Sequence, residues 1–247
     1  MFVTLLISLA IQSESVLLKF DPVVGEITRY RMRIEDNDGP VTTRNSPAYC
    51  IFKVVGKKDG MFSLNHSFEK IETDGTKSTK PGDPFLASPL LACTPIGHAK
   101  GFDPTPEAIL KRAAGPFGVC FSSKAVKVGD QWELSVDADK VANEVFGYLI
   151  PLPKIKFKSK VFERFDLSGL TVDSADIRSK IGCSFDAVEI EKGVIQHLTL
   201  TISSVQVGTF NLKTGMPSSI VRQTEMTIDF PGNNSRFRSI VRLTREN

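Results

Sequence analysis

The sequence predicts a β-dominant α+β protein in which a curved antiparallel sheet, either a half-barrel or an open barrel, packs with two or three short helices. Apolar and polar residues alternate along most of the chain, a pattern typical of strands that bury one face. Short turns rich in Gly, Pro, Asn and Asp separate these strands, which favours antiparallel neighbours. Helical spacing with start and stop signals occurs over residues 105–114 and 137–149.

The N-terminus is a short apolar run from Phe2 to Ala10 that ends in the small-residue pattern Ser8-Leu9-Ala10. This pattern is typical of a signal peptide, although no Lys or Arg precedes it. We therefore expect residues 1–12 to be a signal peptide, residues 13–247 to be one β-rich domain, and the protein to be exported to the periplasm or the extracellular space. The alternative is a buried first strand. The sequence predicts no transmembrane segment.

Strand patterns dominate the first part of the domain. A two-faced strand is predicted over residues 28–35, followed by a hairpin of residues 48–55 and 61–71. Residues 72–101 are rich in Pro, Gly, Ser and Thr and predict a long irregular loop, a candidate lid, with a short helix over residues 85–92.

The two main helices have clear boundaries. The first begins at Thr105 as N-cap with Pro106 at its first position, and Gly115 ends it. The second begins at Asp137 and is stopped by Pro151. After it, alternating strands joined by short turns continue to the C-terminus.

One phrase, Val128-Gly129-Asp130-Gln131-Trp132, contains the only tryptophan. It predicts a turn followed by a strand, because Gly accepts a positive φ and Asp can bond its own backbone. A similar phrase, Val24-Gly25-Glu26, stands near the start of the chain. One interpretation is that two similar halves meet near residues 120–130. The other is that each phrase simply starts a hairpin.

Composition and motifs exclude several classes of function. The net charge of +3 is too small to indicate a nucleic-acid partner. No nucleophile elbow, phosphate loop, zinc motif or dinucleotide fingerprint occurs, so we predict no enzyme, no catalytic residue, no cofactor and no metal site. Cys93 and His98 share one loop and would permit a thiol–imidazole pair, but no other residue supports such an enzyme. His66 lies on the apolar face of its strand and is interpreted as a core residue.

The four cysteines are Cys50, Cys93, Cys120 and Cys183. Export would permit disulfides, and Cys93 and Cys120 bracket the proline-rich loop and the first helix, so we favour a bridge between them. The alternative is four buried free thiols that pack as small apolar side chains.

Basic residues form stripes on single faces of three predicted strands. These stripes are Arg29/Arg31/Arg33, Lys154/Lys156/Lys158/Lys160 and Arg236/Arg238/Arg242. If these strands were neighbours, they would form a cationic surface for anionic lipid or an envelope polymer. The alternative is a solvated outer face.

The phrase Val128-Gly129-Asp130-Gln131-Trp132 is similar to a Val-Gly-Asp-x-Trp motif in uncharacterised exported bacterial β-rich proteins. The early Gly25 to Tyr30 strand and the late Phe210-x-Leu212-x-Thr214-Gly215 turn also resemble theirs, so the resemblance covers roughly residues 16–245. Their layout distantly resembles the half-barrels of periplasmic lipoprotein carriers, in which a curved sheet holds an acyl chain against helices. This chain lacks the lipidated cysteine of the lipoprotein members.

We expect a non-catalytic exported or cell-envelope protein that binds an apolar or amphipathic ligand, such as a lipid or an envelope component. A structural or protein-interaction β module is the alternative, since the seventeen Phe residues would equally fill a solid core. A hydrolase with an unrecognised site is the second alternative. The apolar positions predicted to face the ligand are Phe62, Leu64, Phe68, Trp132, Leu134, Phe157, Ile177, Leu198, Leu200, Met226 and Ile228.

Overall fold

The computed structural model describes residues 15–38, 41–44, 48–71, 77–78, 91–97, 99–100, 117–134, 160–191, 194–230 and 233–246. Within these ranges the chain forms thirteen strands in one antiparallel sheet and no helix. The strands are β1 (Ile27–Asp38), β2 (Val41–Arg44), β3 (Ala48–Lys58), β4 (Met61–Ile71), β5 (Lys77–Ser78), β6 (Leu91–Cys93), β7 (Ala99–Lys100), β8 (Gln131–Leu134), β9 (Lys160–Leu170), β10 (Ser174–Glu191), β11 (Val194–Asn211), β12 (Pro217–Phe230) and β13 (Asn233–Arg245).

The predicted β-dominant antiparallel fold is confirmed, including the hairpin of β3 and β4 and the strand that carries Trp132. The helices predicted over residues 105–114 and 137–149 lie outside the described residues, as does most of the one predicted over 85–92. The end of that last segment is a correction, because Leu91 and Ala92 belong to β6, which pairs with β4. Residues 72–101 therefore contain short strands as well as loop.

The sheet brings the first long strand and the last described strand together. Its strand order is β7-β6-β4-β3-β1-β13-β12-β11-β10-β9-β8, with β2 added beside β1 and β5 beside β4. The first long strand, β1, pairs with the last, β13, over eight residue pairs from Tyr30 opposite Arg245 to Asn37 opposite Arg238. Within the described residues the terminal strands β7 and β8 do not pair, so the sheet is open.

The sheet is bent, and two successive residues demonstrate it. The Phe121 N–H donates to the Ile96 carbonyl, just after β6, at 2.8 Å. The Trp132 indole N–H, on β8, donates to the Cys120 carbonyl at 2.8 Å. Between β6 and β8 lie nine strand spacings of about 4.8 Å, which would separate them by roughly 40 Å in a flat sheet. One dipeptide reaches both, so the sheet curves around it.

Two stretches of chain cover the concave inner face at one end of the sheet, here called the packed end. They are residues 16–20 and the covering segment, residues 117–126, which are joined by an antiparallel bridge between Val16 and Val126. Phe117 lies at the centre, with its ring 4.8 Å from that of Phe52 and 6.1 Å from that of Tyr30. The buried core of this end comprises Leu18, Phe20, Tyr30, Cys50, Phe52, Val54, Phe62, Leu64, Cys93, Phe117, Val119, Cys120, Phe121, Val126, Phe165, Leu167, Ala175, Ile177, Phe210, Met216 and Ile220.

The two Val-Gly-acid phrases form turns of the same geometry. Gly25 and Gly129 have φ of +90° and +93°, a region that favours glycine. In each turn the acidic residue donates its N–H to the carbonyl three positions earlier, at 3.0 Å. In each, the glycine N–H donates at 2.8 Å to the neighbouring strand, to Val54 in the first turn and to Leu167 in the second. The structures of the phrases thus match, while a duplication of whole halves stays a prediction.

Candidate functional site: the inner face of the sheet

Strand register arranges the inner-face residues of β9 to β13 in rows that cross the strands. The first row, at the packed end, is followed by two rows rich in polar residues and then by apolar rows. In order they are Leu167–Ile177–Gly208–Ile220–Leu243, Phe165–Ser179–Gln206–Arg222–Val241, Glu163–Ile181–Ser204–Thr224–Ser239, Val161–Cys183–Ile202–Met226–Phe237 and Phe185–Leu200–Ile228–Ser235.

Three residues predicted to face a ligand belong to the core of the packed end. Phe62, Leu64 and Ile177 are at most 1 % exposed. The Phe62 ring meets that of Phe20 edge-on at 5.6 Å between centroids. These side chains fill a solid core there, because residues 16–20 and the covering segment occupy the space above them.

Trp132 and Leu134 lie at the edge of this core and are half-buried. The Trp132 ring stacks on Phe165, with 5.8 Å between centroids and 18° between planes. Because its indole N–H also bonds to the Cys120 carbonyl, Trp132 fastens the covering segment to the sheet. The only tryptophan therefore has a structural role in the described part of the chain.

Polar side chains cross the inner face in the second and third rows, and we call them the polar belt: Glu163, Ser179, Ser204, Gln206, Arg222 and Thr224. Two of them bind the covering segment. The Gln206 amide donates to the Phe117 carbonyl at 2.7 Å, and the Ser179 hydroxyl donates to the Gly118 carbonyl at 3.1 Å. Arg222 donates through Nε to the Gln206 amide oxygen at 2.8 Å, which orients that amide. The belt thus holds the covering segment where the packed end stops.

Glu163 is the unusual member of the belt. It is 1 % exposed, and neither carboxylate oxygen has a hydrogen-bond partner among the described residues. Burial raises the pKa of this carboxyl from 4.5 to about 7, because the charged form loses its hydration. Glu163 is also close enough to Cys120 to raise the pKa of that thiol, which burial already raises. The Glu163 carboxyl therefore titrates near neutral pH.

Beyond the belt lies the far end of the inner face, which comprises the row that contains Ile202, Met226 and Phe237 and the rows after it. These three side chains face one another across β11, β12 and β13 and are only half-buried. Register places Leu200 opposite Ile228 in the next row and Leu198, two residues earlier on β11, opposite Ala187 of β10. Five of the predicted ligand-facing positions, Leu134, Met226, Leu200, Ile228 and Leu198, therefore lie at or beyond the belt.

Some predicted positions are not described in full. The side chains of Phe68, Leu198, Leu200 and Ile228 lie outside the described set, although their backbones are placed, with Phe68 opposite Cys50. Phe157 lies wholly outside it, as does the basic stripe of Lys154 to Lys158.

Cys93 and Cys120 are thiols with 0 % exposure in this structure, and Cys50 is 4 % exposed. The structure contains no bridge between Cys93 and Cys120, and the disulfide stays a prediction. Burial raises the pKa of the Cys93 thiol to about 12 and also raises that of Cys120, which keeps both protonated and poorly reactive at neutral pH.

The polar belt was missed by sequence reasoning, although a signal was present. Glu163, Ser179 and Gln206 occupy inner-face positions of β9, β10 and β11, where the alternation of apolar and polar residues predicts apolar side chains. In the described ranges, no group of three or more His, Cys, Asp or Glu side chains could hold a metal ion. The same ranges contain no helix long and apolar enough to cross a membrane.

Comparison with known proteins finds a weak structural similarity and no matching family. No family model matches the chain, and no curated protein matches it. Among solved structures, the chain is similar to lipovitellin, in a structure described by its lipid–protein interactions, with 11 % sequence identity and a TM-score of 0.46. The match covers 92 % of this chain and 25 % of that one, so this chain spans about a quarter of the length of lipovitellin.

Proposed function

We propose that this chain is a non-catalytic exported or cell-envelope protein whose half-barrel binds an amphipathic ligand at the far end of its inner face. The observation that carries the proposal is the change from solid core to half-buried apolar side chains across the polar belt. Ile202, Met226 and Phe237 form a continuous apolar row on the concave side, yet solvent reaches all three. Covering them with a lipid chain would contribute about 0.8 kcal/mol for each buried methylene group.

The polar belt supports an amphipathic rather than a purely apolar ligand. A chain lying over the far rows would have one end at the belt, next to hydroxyl groups of Ser204 and Thr224, which are 3.2 Å apart. Ligand sites typically combine an apolar lining with a few polar groups that orient the guest. A head group with hydrogen-bonding capacity therefore suits this position better than a hydrocarbon end.

Native mass spectrometry with organic extraction of protein purified from its own host tests the proposal. Co-purifying lipid is expected in the wild type. It should be lost in Ile202→Asp, which places a charge in the apolar row, and kept in Thr201→Asp, which changes the adjacent, exposed position on the opposite face of β11. Circular dichroism should show the same strand content in both variants.

A structural or protein-interaction module is the second candidate, and the dense core of the packed end favours it. It predicts that no guest is extracted and that a fluorescent fatty acid does not bind. Either a lipid-free protein that rejects the fatty acid, or equal lipid loss in both variants, would replace the binding proposal with this one.

A further inference from the structure

The outer face of the sheet joins two of the basic stripes into one surface. Register places one row across five consecutive strands, β10 to β13 and then β1, and a second row lies beside it. The first row is Arg178–Val207–Val221–Arg242–Arg33, and the second is Lys180–Val205–Gln223–Ile240–Glu35. We call these two rows, together with Arg31 two residues before Arg33, the outer patch.

Three valines at the centre of this patch are exposed to solvent. Val205 is 49 % exposed, Val207 47 % and Val221 41 %. They lie on β11 and β12, which pair with a strand on each side, so no free strand edge is available there for pairing with another chain. An apolar cluster in the middle of a sheet face that contributes nothing to the core indicates an interaction surface.

Two of the cations around these valines face each other across a strand pair, an arrangement that disfavours folding. Arg33 and Arg242 lie directly opposite each other on β1 and β13, where like charges destabilise a strand pair. Glu35 compensates in part, at 3.7 Å from Arg242. Further along the same face, Arg236 and Arg238 both approach Glu225, at 3.0 and 3.9 Å, so that part of the stripe is locally neutralised.

Charge on the patch remains positive after its acids are included. The cations are Arg31, Arg33, Arg178, Lys180 and Arg242. The carboxylates in or beside the two rows are Glu35, Asp166, Asp176 and Glu225, the last of which is paired with Arg236 and Arg238. Asp176 accepts a hydrogen bond from the Thr209 hydroxyl at 2.7 Å, which occupies one of its oxygens. A partner that covers this surface must therefore be both anionic and able to accommodate exposed valines.

We propose that the outer patch docks on the surface of a bilayer that contains anionic lipid. A bilayer interface supplies both properties, since phosphate groups can meet the arginines while the valines enter the headgroup region. A soluble polyanion would bind the arginines but leave the valines in water. The five strands span about 19 Å, enough for several lipid headgroups. This inference concerns the face opposite the proposed ligand site and does not depend on it.

Vesicle sedimentation tests the inference, with phosphatidylcholine vesicles compared with vesicles of phosphatidylcholine and phosphatidylglycerol. We expect binding to the mixed vesicles only, weakened by salt. Arg33→Ser with Arg242→Ser should reduce the partition coefficient at least about ten-fold, since each basic residue near such a surface contributes about 1 kcal/mol. Val207→Ser with Val221→Ser should also reduce it, by about three-fold or more.

The matched control is Lys124→Ser with Lys127→Ser, which removes the same charge from two exposed positions outside the outer patch, one near the end of the covering segment and one just after it. It should bind as the wild type does, and so should Ile202→Asp, which separates this inference from the inner-face proposal. Three results would each overturn the inference: equal binding to both kinds of vesicle, an equal loss of binding in the lysine control, or binding to soluble polyglutamate that is equally strong and unaffected by the valine substitutions.

Discussion

The two ends of the inner face differ in whether another segment of the chain covers the sheet. At the packed end, Phe117 contacts rings from three other parts of the chain, and the side chains beneath it are buried. At the far end, Phe237 occupies an equivalent inner position on a central strand and is half-buried. Alternation of apolar residues is equally good in both. Apolar periodicity therefore identifies the face of a strand, whereas the element that covers the face decides whether it becomes a core.

The polar belt is the boundary between these regions, and its position is energetically reasonable. Each side chain of the belt that binds a carbonyl of the covering segment replaces the hydrogen bond that the carbonyl loses on burial. Gln206 and Ser179 bind the first two carbonyls of the covering segment, and the inner-face rows of the sheet continue beyond them.

The largest difference is expected between two Phe→Ala changes. Phe117→Ala removes a 3 % exposed ring from the packed end and should lower the free energy of unfolding by about 3–5 kcal/mol. Phe237→Ala removes a half-buried ring and should lower it by only about 1 kcal/mol. Urea denaturation measures both. Equal losses would mean that the far end is packed as tightly as the other.

Glu163→Gln should remove a pH dependence of stability. Because the folded pKa is about 7 and the ordinary value is 4.5, the folded state holds the proton more tightly. The contribution of this group to stability is therefore complete below about pH 4.5, and up to about 3 kcal/mol of it is lost as pH rises through 7. The variant lacks this loss, although its buried amide shifts stability equally at every pH.

Denaturation midpoints at pH 5 and pH 9 measure that difference. Glu133→Gln, on the adjacent strand and exposed, is the control and should keep the wild-type pH dependence. An unchanged pH dependence in Glu163→Gln would show that the carboxyl is hydrated and that the belt is open to water.

Gly118→Ala should destabilise the protein by about 2–3 kcal/mol, and Gly129→Ala by only about 1 kcal/mol. Both glycines have positive φ, +69° and +93°, so backbone strain is common to the two changes. A Cβ at Gly118 would overlap the Arg222 guanidinium and the Gln206 amide oxygen, whereas one at Gly129 meets nothing within 4 Å. Thermal unfolding of the two variants measures how much the close contact between the covering segment and the belt adds to the backbone strain. Equal shifts in Tm would argue against that close contact.

Trp132→Phe should have a small effect, about 1 kcal/mol, like Gly129→Ala. It keeps an aromatic ring next to Phe165 but loses the hydrogen bond to the Cys120 carbonyl. Hydrogen exchange should report faster opening of residues 117–122 than of the β3–β4 hairpin. Uniform acceleration across the sheet would indicate that Trp132 supports the whole core rather than this attachment.

Much of the fold was predictable because it depends on local chemistry. Alternation predicted the strands and their faces, and Gly with an acidic neighbour predicted the two turns that start β1 and β8. Most of the predicted ligand-facing residues that are described do share the inner face. Their division into core and far end was not predictable, since the covering segment that separates them lies far from β10 to β12 in sequence.

By itself the sequence determined which residues alternate, where turns form and which side chains are apolar, since these follow from steric preference and hydropathy over a few neighbouring residues. Tertiary structure alone decided that β1 pairs with β13, that Arg33 faces Arg242, and that Glu163 is buried with no hydrogen-bond partner among the described residues. These features join residues up to about two hundred positions apart, and such contacts depend on strand order and curvature, which no local pattern encodes.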